Sequence, residues 1–107
     1  MWQLEFIDEA LDDYDRLSGN QKTQVIKIIR RVLINPLPNT EGGYGKPLGK
    51  VKDVDLSGCC KIKLKKAGIR VVYKLVKTET QMLIIVIGAR RDNEVYDEAS
   101  KRLAKMK

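Results

Sequence analysis

Hydrophobic and polar residues alternate most regularly in the middle of the chain, in the stretch CCKIKLKKAGIRVVY (residues 59–73). A strand here sends Ile62 and Leu64 to one face and a row of lysines to the other. The following turn contains Gly68, which is free to adopt positive φ, and Ile69–Lys77 has the pattern of a returning strand. The pattern therefore predicts a β-hairpin with one apolar and one cationic face.

The N-terminal third has the spacing of one strand and two helices. Apolar residues first alternate and then recur at intervals of three and four, with acidic residues expected on the solvent side of the first helix. The predicted elements are a strand through Trp2, Leu4 and Phe6, a helix Glu9–Leu17 capped by Asp8, and a helix Gln21–Ile34 capped by Asn20 and ended by Pro36.

The remaining pattern predicts a loop, two further strands and a last helix. After the predicted helix over residues 21–34 come a loop over 35–50, a short strand through Val51, Val54 and Leu56, and a turn at Ser57 and Gly58. The run Met82–Ile87 is apolar on both faces, which predicts a central strand. The last predicted element is a helix Glu94–Lys105, capped by Asp92 or Asn93, with the apolar stripe Val95, Ala99 and Leu103. The order predicts an α+β fold, a small antiparallel sheet with an N-terminal helical pair and a C-terminal helix on one face.

Size and charge narrow the classes of function. With 107 residues, 43% of them hydrophobic, we expect residues 1–107 to form a single domain. Residues 1–20 contain six acids and one base, a net charge of −5. Since the whole chain has a net charge of +7, residues 21–107 have a net charge of +12. Such polarity predicts an anionic partner, nucleic acid or an acidic protein, for the central and C-terminal parts.

The chain contains no histidine and only two cysteines, Cys59 and Cys60. This composition excludes a histidine proton shuttle and a cysteine–histidine zinc site. Adjacent cysteines in a strand point to opposite faces, so we expect them reduced, with Cys60 buried. No signal peptide or membrane-spanning run is evident, and the predicted location is the cytoplasm.

The cationic face of the hairpin is the candidate site. Lys61, Lys63 and Lys65 would stand about 6.6 Å apart along a strand, close enough to lower each other's proton affinity. The turn brings Arg70 near this row. A solvated polar face is the simpler interpretation of such a charge run.

Further along the chain, Arg90 and Arg91 follow the strand end at Gly88, and Tyr96 lies in the first turn of the last helix. Cations around a phosphate stabilise the charge of a pentacovalent transition state, and a lysine of depressed pKa can take a proton from a 2′-hydroxyl. Only RNA carries that nucleophile internally. A tyrosine with an exposed ring can stack on a base, although packing is the commoner role of such a residue.

Nearly the whole chain resembles the RelE family of ribosome-dependent mRNA interferases, the toxins of type II toxin–antitoxin modules. The resemblance rests on the opening strand and helical pair, on CCKIKLKKAGIRVVY and on VIGARRDNEVYDEASKRL. It implies a cytoplasmic endoribonuclease without metal or other cofactor, with the ribosome, mRNA and a cognate acidic antitoxin as partners in a hetero-oligomer, and no membrane partner.

The resemblance also implies roles for individual residues. Lys63 would be the base on the 2′-hydroxyl, Lys61 and Arg70 would steady the phosphate, Arg90 would assist the departing 5′-oxygen, and Tyr96 would stack on the codon. Since arginine hardly loses a proton at neutral pH, Arg90 is expected to act by charge and hydrogen bonding. Further RNA contacts are expected from Lys65, Lys66 and Arg91.

Two other functions remain open at this point. ParE-type toxins share the fold that the resemblance implies, but they bind and inhibit DNA gyrase and have no nuclease activity. A basic RNA-binding module would have the same positive charge but would not be a catalyst. The retained set of cations with Tyr96 favours RNA cleavage. The expected antitoxin would act either by covering the cationic face or by displacing the last helix.

Overall fold

A five-stranded sheet runs through the part of the chain that the structure describes, residues 1–51, 53–89 and 94–106 of a computed structural model. Its order is β1-β5-β4-β3-β2. The elements are β1 Gln3–Phe6, α1 Asp8–Asp15, α2 Gly19–Leu33, β2 Lys46–Val51, β3 Val54–Leu64, β4 Ile69–Val76, β5 Gln81–Ala89 and α3 Glu94–Lys105, with 3₁₀ turns at Asn39–Glu41 and Lys77–Glu79. None of these helices is long and apolar enough to cross a membrane.

The sheet is mixed, so the α+β class is confirmed but the wholly antiparallel pairing is wrong. Strands β2 to β5 pair antiparallel through hairpin-type connections, whereas β1 pairs parallel with β5. A strand followed at once by a helix has no hairpin partner, and β1 instead joins the edge of β5, far along the chain.

The helices cover both faces of the sheet, which corrects the prediction of one covered face. Val25 and Ile29 of α2 belong to a buried cluster with Ile84, while Val95 of α3 belongs to a second cluster with Ile85. β5 is therefore apolar on both sides because each side meets a helix. The prediction of a doubly covered central strand is confirmed.

Two predicted helix starts differ from the observed ones. Ser18, rather than Asn20, caps α2, and it forms a reciprocal capping box with Gln21. Asp8 is the first residue of α1 and not its cap; Ile7 occupies the cap position without a side-chain hydrogen bond. The carboxylate of Asp8 instead lies in the first turn, where it complements the helix dipole.

The region before the lysine strand is more regular than predicted. Its last part forms the edge strand β2, and β3 is one strand of 11 residues with no turn at Ser57 and Gly58. Gly58 lies inside β3 with φ +86°, close to a register shift in the pairing of β2 with β3. Its positive φ therefore belongs to a β-bulge and does not end the strand. Pro47 is tolerated because β2 is an edge strand.

Candidate active site

The β3–β4 hairpin holds Lys61, Lys63 and Arg70 on one face of the sheet. Lys63 lies directly opposite Arg70 in the antiparallel register, and Lys61 precedes Lys63 by two residues on the same face. The turn at 65–68 forms as predicted, with Gly68 at φ +66°. Like charges opposite each other destabilise a sheet, so this pairing favours the binding of an anion.

Tyr96, in the first turn of α3, packs beneath these cations. The guanidinium Nη1 of Arg70 donates a hydrogen bond of 3.2 Å to the Tyr96 hydroxyl. The Arg70 guanidinium carbon lies 5.4 Å from the ring centroid and Lys61 Nζ lies 6.0 Å from it. The ring thus attracts both side chains through cation–π contacts.

Tyr96 has the packing role that the sequence analysis gave as the commoner one, and its ring is not exposed. Tyr96 is only 3% exposed and packs in the cluster between α3 and the sheet with Val95 and Ala99. The side chains of Lys61 and Arg70 cover one face of the ring. In this arrangement Tyr96 orients Arg70 and leaves no free face for a base.

Arg70 has one buried donor that is unpaired. Within the described residues its Nε is buried and has no hydrogen-bond partner, while Nη1 is fixed by Tyr96. Buried donors are nearly always paired, and an unpaired one has a large desolvation cost. Because Nε is closed to solvent, the guanidinium would reach a phosphate oxygen through its other N–H groups.

The pKa of Lys63 is lowered from its ordinary value, chiefly by repulsion from Lys61. Desolvation, repulsion from Arg70, a hydrogen bond with Lys61 and repulsion from Lys46 lower this pKa further. The neutral amine of Lys63 is therefore more populated at neutral pH than that of an isolated lysine. Neutral amine is the form that accepts a proton.

Lys46 is a site residue that the sequence reasoning missed. It lies opposite Lys61 at the start of β2, so a second like-charged pair adjoins that of Lys63 with Arg70. The segment around it was predicted as loop, since Pro47 and Gly49 obscure a strand pattern. The available signal was that edge strands accept proline.

The other predicted contacts divide into two groups. Lys65 and Lys66 lie exposed in the turn after β3, beside Lys63. Arg90 and Arg91, together with the predicted caps Asp92 and Asn93, lie outside the described residues. The structure thus brings together Lys61, Lys63, Arg70 and Tyr96, flanked by Lys65 and Lys66.

Both thiols are buried and neither forms a disulfide in the structure, and the predicted burial of Cys60 is confirmed. Burial raises the pKa of Cys59 to about 11, with Lys74 opposing the shift and Cys60 adding to it. The pKa of Cys60 is also raised, mainly by burial. Thiols of high pKa are poor nucleophiles, so the cysteines serve as core residues.

Among the described residues, no group of three or more His, Cys, Asp or Glu side chains could hold a metal ion. The described side chains of the site offer an amine of lowered pKa and a set of fixed cations. Fold and site together define a small α+β protein with a cationic site for a phosphate group.

Comparison with known proteins assigns the family. The chain is 31% identical over 100 residues to the mRNA interferase toxin RelE of Escherichia coli (strain K12), covering 94% of this chain and 95% of that protein. This chain belongs to the RelE family. No family model matches it.

Solved structures agree with this assignment. The crystal structure of the isolated E. coli RelE toxin superimposes with a TM-score of 0.70 at 28% identity, covering 96% of this chain and 99% of that one. A mutant of E. coli RelE in complex with an antitoxin RelBc peptide gives a TM-score of 0.69 at 28% identity, covering 92% and 93%. The resemblance inferred from the residue pattern is confirmed.

Proposed function

We propose that this chain is the toxin of a type II toxin–antitoxin module and an endoribonuclease that cleaves mRNA on the ribosome. The observation that carries the proposal is the convergence of Lys61, Lys63 and Arg70 on one face, with the pKa of Lys63 lowered by its neighbours. The relatives support it, since the E. coli protein is named an mRNA interferase toxin.

Lys63 acts as the general base. Its neutral amine takes the proton of a 2′-hydroxyl, the 2′-oxygen forms a bond to the adjacent phosphorus, and the bond from phosphorus to the 5′-oxygen breaks. The products are a 2′,3′-cyclic phosphate and a 5′-hydroxyl, whose proton comes from solvent. Arg90, by family resemblance, donates a hydrogen bond to the departing oxygen.

Arg70 and Lys61 stabilise the charge that develops on the phosphate. The guanidinium of Arg70 donates to a non-bridging oxygen, and Tyr96 holds the guanidinium in place through its hydroxyl. Lys61 supplies a second positive charge beside Lys63. A site fixed in this way before the reaction lowers the barrier without reorganisation during it.

The ribosome supplies the orientation that these residues lack. No described residue forms a strong acid–base pair with Lys63, so the in-line geometry of the 2′-hydroxyl must come from the bound mRNA. Ribosomes and mRNA place the activity in the cytoplasm. A cognate acidic antitoxin restrains it, in keeping with the positive charge of residues 21–107.

Primer extension on an mRNA translated with and without the protein tests this function. Wild-type protein produces new stops that require ribosomes, while naked RNA is cut poorly. Lys63→Ala lowers the cleavage rate by about 10²-fold or more, since the base is removed. Lys50→Ala, an exposed lysine at the other end of β2, leaves it unchanged. Inhibition of DNA gyrase without any new stop would instead support the ParE-type function.

A further inference from the structure

A groove on the α2 side of the hairpin extends away from the candidate active site. A volume of about 530 Å³ lies between α2 and the turn after β3, and a second of about 250 Å³ adjoins it. Both volumes are bordered by Ile28, Arg31, Lys46 and Lys63. The strand segment that carries the base of the proposed reaction is therefore also part of the groove wall.

The groove is cationic along its length. Lys27 and Arg31 of α2 stand four residues apart and border it from one side, while Lys65 and Lys66 border it from the turn after β3. The described residues lining both volumes include no aspartate or glutamate. Arg30, adjacent to Arg31 in the same turn of α2, borders a different surface with Trp2.

Tyr44 stands at the end of this groove with its ring exposed. Of the six aromatic residues, all of which the structure describes, Tyr44 alone is largely exposed, at 58%. Its backbone N–H donates a hydrogen bond of 2.9 Å to the Asn35 carbonyl. An aromatic side chain beside a cationic groove is the arrangement on which proteins stack the bases of single strands.

The backbone around Tyr44 is fixed by close packing. A Cβ on Gly43 would collide with the backbone of Leu37, and a Cβ on Gly45 would collide with the Tyr73 hydroxyl, itself bonded to the Pro36 carbonyl at 2.8 Å. The two glycines therefore bring the loop onto the core while the ring between them remains outside. Packing explains the position of the backbone but not the exposure of the ring.

We propose that this groove binds the single-stranded RNA that flanks the scissile phosphate, with Lys27 and Arg31 on its phosphates and Tyr44 stacked on a base. The inference rests on the proposed function and adds a second binding region to it. The end of β3 around Lys63 joins the two regions, since it borders the groove on the α2 side and carries the proposed base on the other face. RNA is favoured over an acidic protein segment because a stacking ring accompanies the cations.

The charge arm of the test compares two neighbouring arginines. Binding of a fluorescent 2′-O-methyl RNA oligonucleotide, which has no free 2′-hydroxyl to react, is measured by anisotropy at several salt concentrations. Arg31→Glu weakens binding by about tenfold and lowers the slope of log K against log salt by roughly 0.7 for each phosphate that the protein no longer neutralises. Arg30→Glu changes the net charge by the same amount at the neighbouring position of α2, but its binding stays within about threefold of wild type.

The stacking arm compares substitutions at Tyr44. Tyr44→Ala weakens binding by about fivefold or more, because stacking on one base contributes roughly 1–3 kcal/mol. Tyr44→Phe keeps the ring and binds like wild type. Thermal unfolding followed by circular dichroism verifies that each variant is folded, and Arg31→Gln replaces Arg31→Glu if the reversed charge disturbs α2.

Equal RNA affinities for Arg31→Glu and Arg30→Glu, or for Tyr44→Ala and Tyr44→Phe, overturn the inference. It is also overturned if Arg31→Glu loses binding of a polyglutamate peptide but not of RNA. If wild-type protein from the same preparations cuts translated mRNA, the proposed function remains supported even when either of these results overturns the inference. Wild-type protein that binds RNA through the groove but cuts nothing contradicts the proposed function alone.

Discussion

The carboxylate of Asp13 in α1 forms a two-pronged, buried ion pair with Arg102 in α3. Arg102 Nη1 lies 2.6 Å from Asp13 Oδ2 and Nη2 lies 3.1 Å from Oδ1. Asp13 Oδ2 also accepts the backbone N–H of Ile87, and Arg102 Nη1 donates to the Ile85 carbonyl. The pair therefore ties the helices on opposite faces to one stretch of β5.

Breaking this pair should destabilise the protein strongly. Burial acts against the charge of Arg102, but hydrogen bonds to Asp13 and Glu98 outweigh it and raise the pKa of Arg102. Arg102→Met leaves the Asp13 carboxylate buried without its counterion, and we expect the free energy of unfolding to fall by about 3–5 kcal/mol. Urea denaturation measures this change.

Glu98→Gln is the matched control. Glu98 bonds Arg102 at 2.9 Å but its side chain is 44% exposed, so its loss should change stability by about 1 kcal/mol or less. Equal effects of the two substitutions would contradict the account. Hydrogen exchange over residues 94–105 should accelerate in Arg102→Met, since α3 loses its anchor. An antitoxin that displaced α3 would have to break the same pair.

Removal of Lys61 should change the pH dependence of cleavage. In the proposed mechanism the neutral amine of Lys63 is the active form, so the rate should rise with pH and level off above its pKa, which lies below the ordinary 10.5. Lys61→Met removes the largest cause of the lowered pKa. The rising limb should therefore move to higher pH, and the rate at neutral pH should fall.

Single-turnover cleavage on ribosomes across neutral to alkaline pH measures this limb. The position of the limb reports the pKa of Lys63, whereas the height of the plateau also reports the contact of Lys61 with phosphate. Lys50→Met, remote on β2, should leave the position unchanged. A limb that stays in place in Lys61→Met would show that Lys63 is not the titrating base.

We expect the hydroxyl of Tyr96 to affect the cleavage rate by holding Arg70 in place. Tyr96→Phe keeps the buried ring but removes the acceptor for Arg70 Nη1, so the cleavage rate should fall several-fold while stability changes by about 1 kcal/mol or less. In an Arg70→Lys background the same change should have little further effect on the rate, since the partner is already altered.

Tyr73→Phe is the control for losing a buried tyrosine hydroxyl. Tyr73 donates to the Pro36 carbonyl away from the cationic face, so its loss should lower stability without changing the cleavage rate of the folded protein. Fully additive effects of Tyr96→Phe and Arg70→Lys would show that Tyr96 does not act through Arg70.

The sequence predicted those parts of the fold that local pattern determines. The boundaries of α3 match at Glu94–Lys105, and β4 ends within one residue of the predicted Lys77. Apolar periodicity over a long segment reports which face is buried, so such elements are the most predictable. Strand β2 was missed because Pro47 and Gly49 interrupt its pattern, and its pairing depends on the neighbouring β3.

Long-range contacts account for the other differences. Asp13 was expected to face water with the other acids of α1, but it is buried because Arg102, 89 residues away, reaches it. For Tyr96 the sequence left packing and an exposed ring both open, and the contacts of Lys61 and Arg70 with the ring come from another element. Pairings of this kind follow from tertiary packing, which no local pattern encodes.

The most direct test of the proposed chemistry replaces a single 2′-hydroxyl. An mRNA carrying a 2′-deoxy nucleotide immediately 5′ of the mapped cut is translated in the presence of wild-type protein, and cleavage is followed by primer extension. Attack by that hydroxyl predicts loss of the cut at this position, while an unmodified mRNA is cut and leaves a 2′,3′-cyclic phosphate. Cleavage of the deoxy-substituted mRNA at the same position and rate would contradict the account.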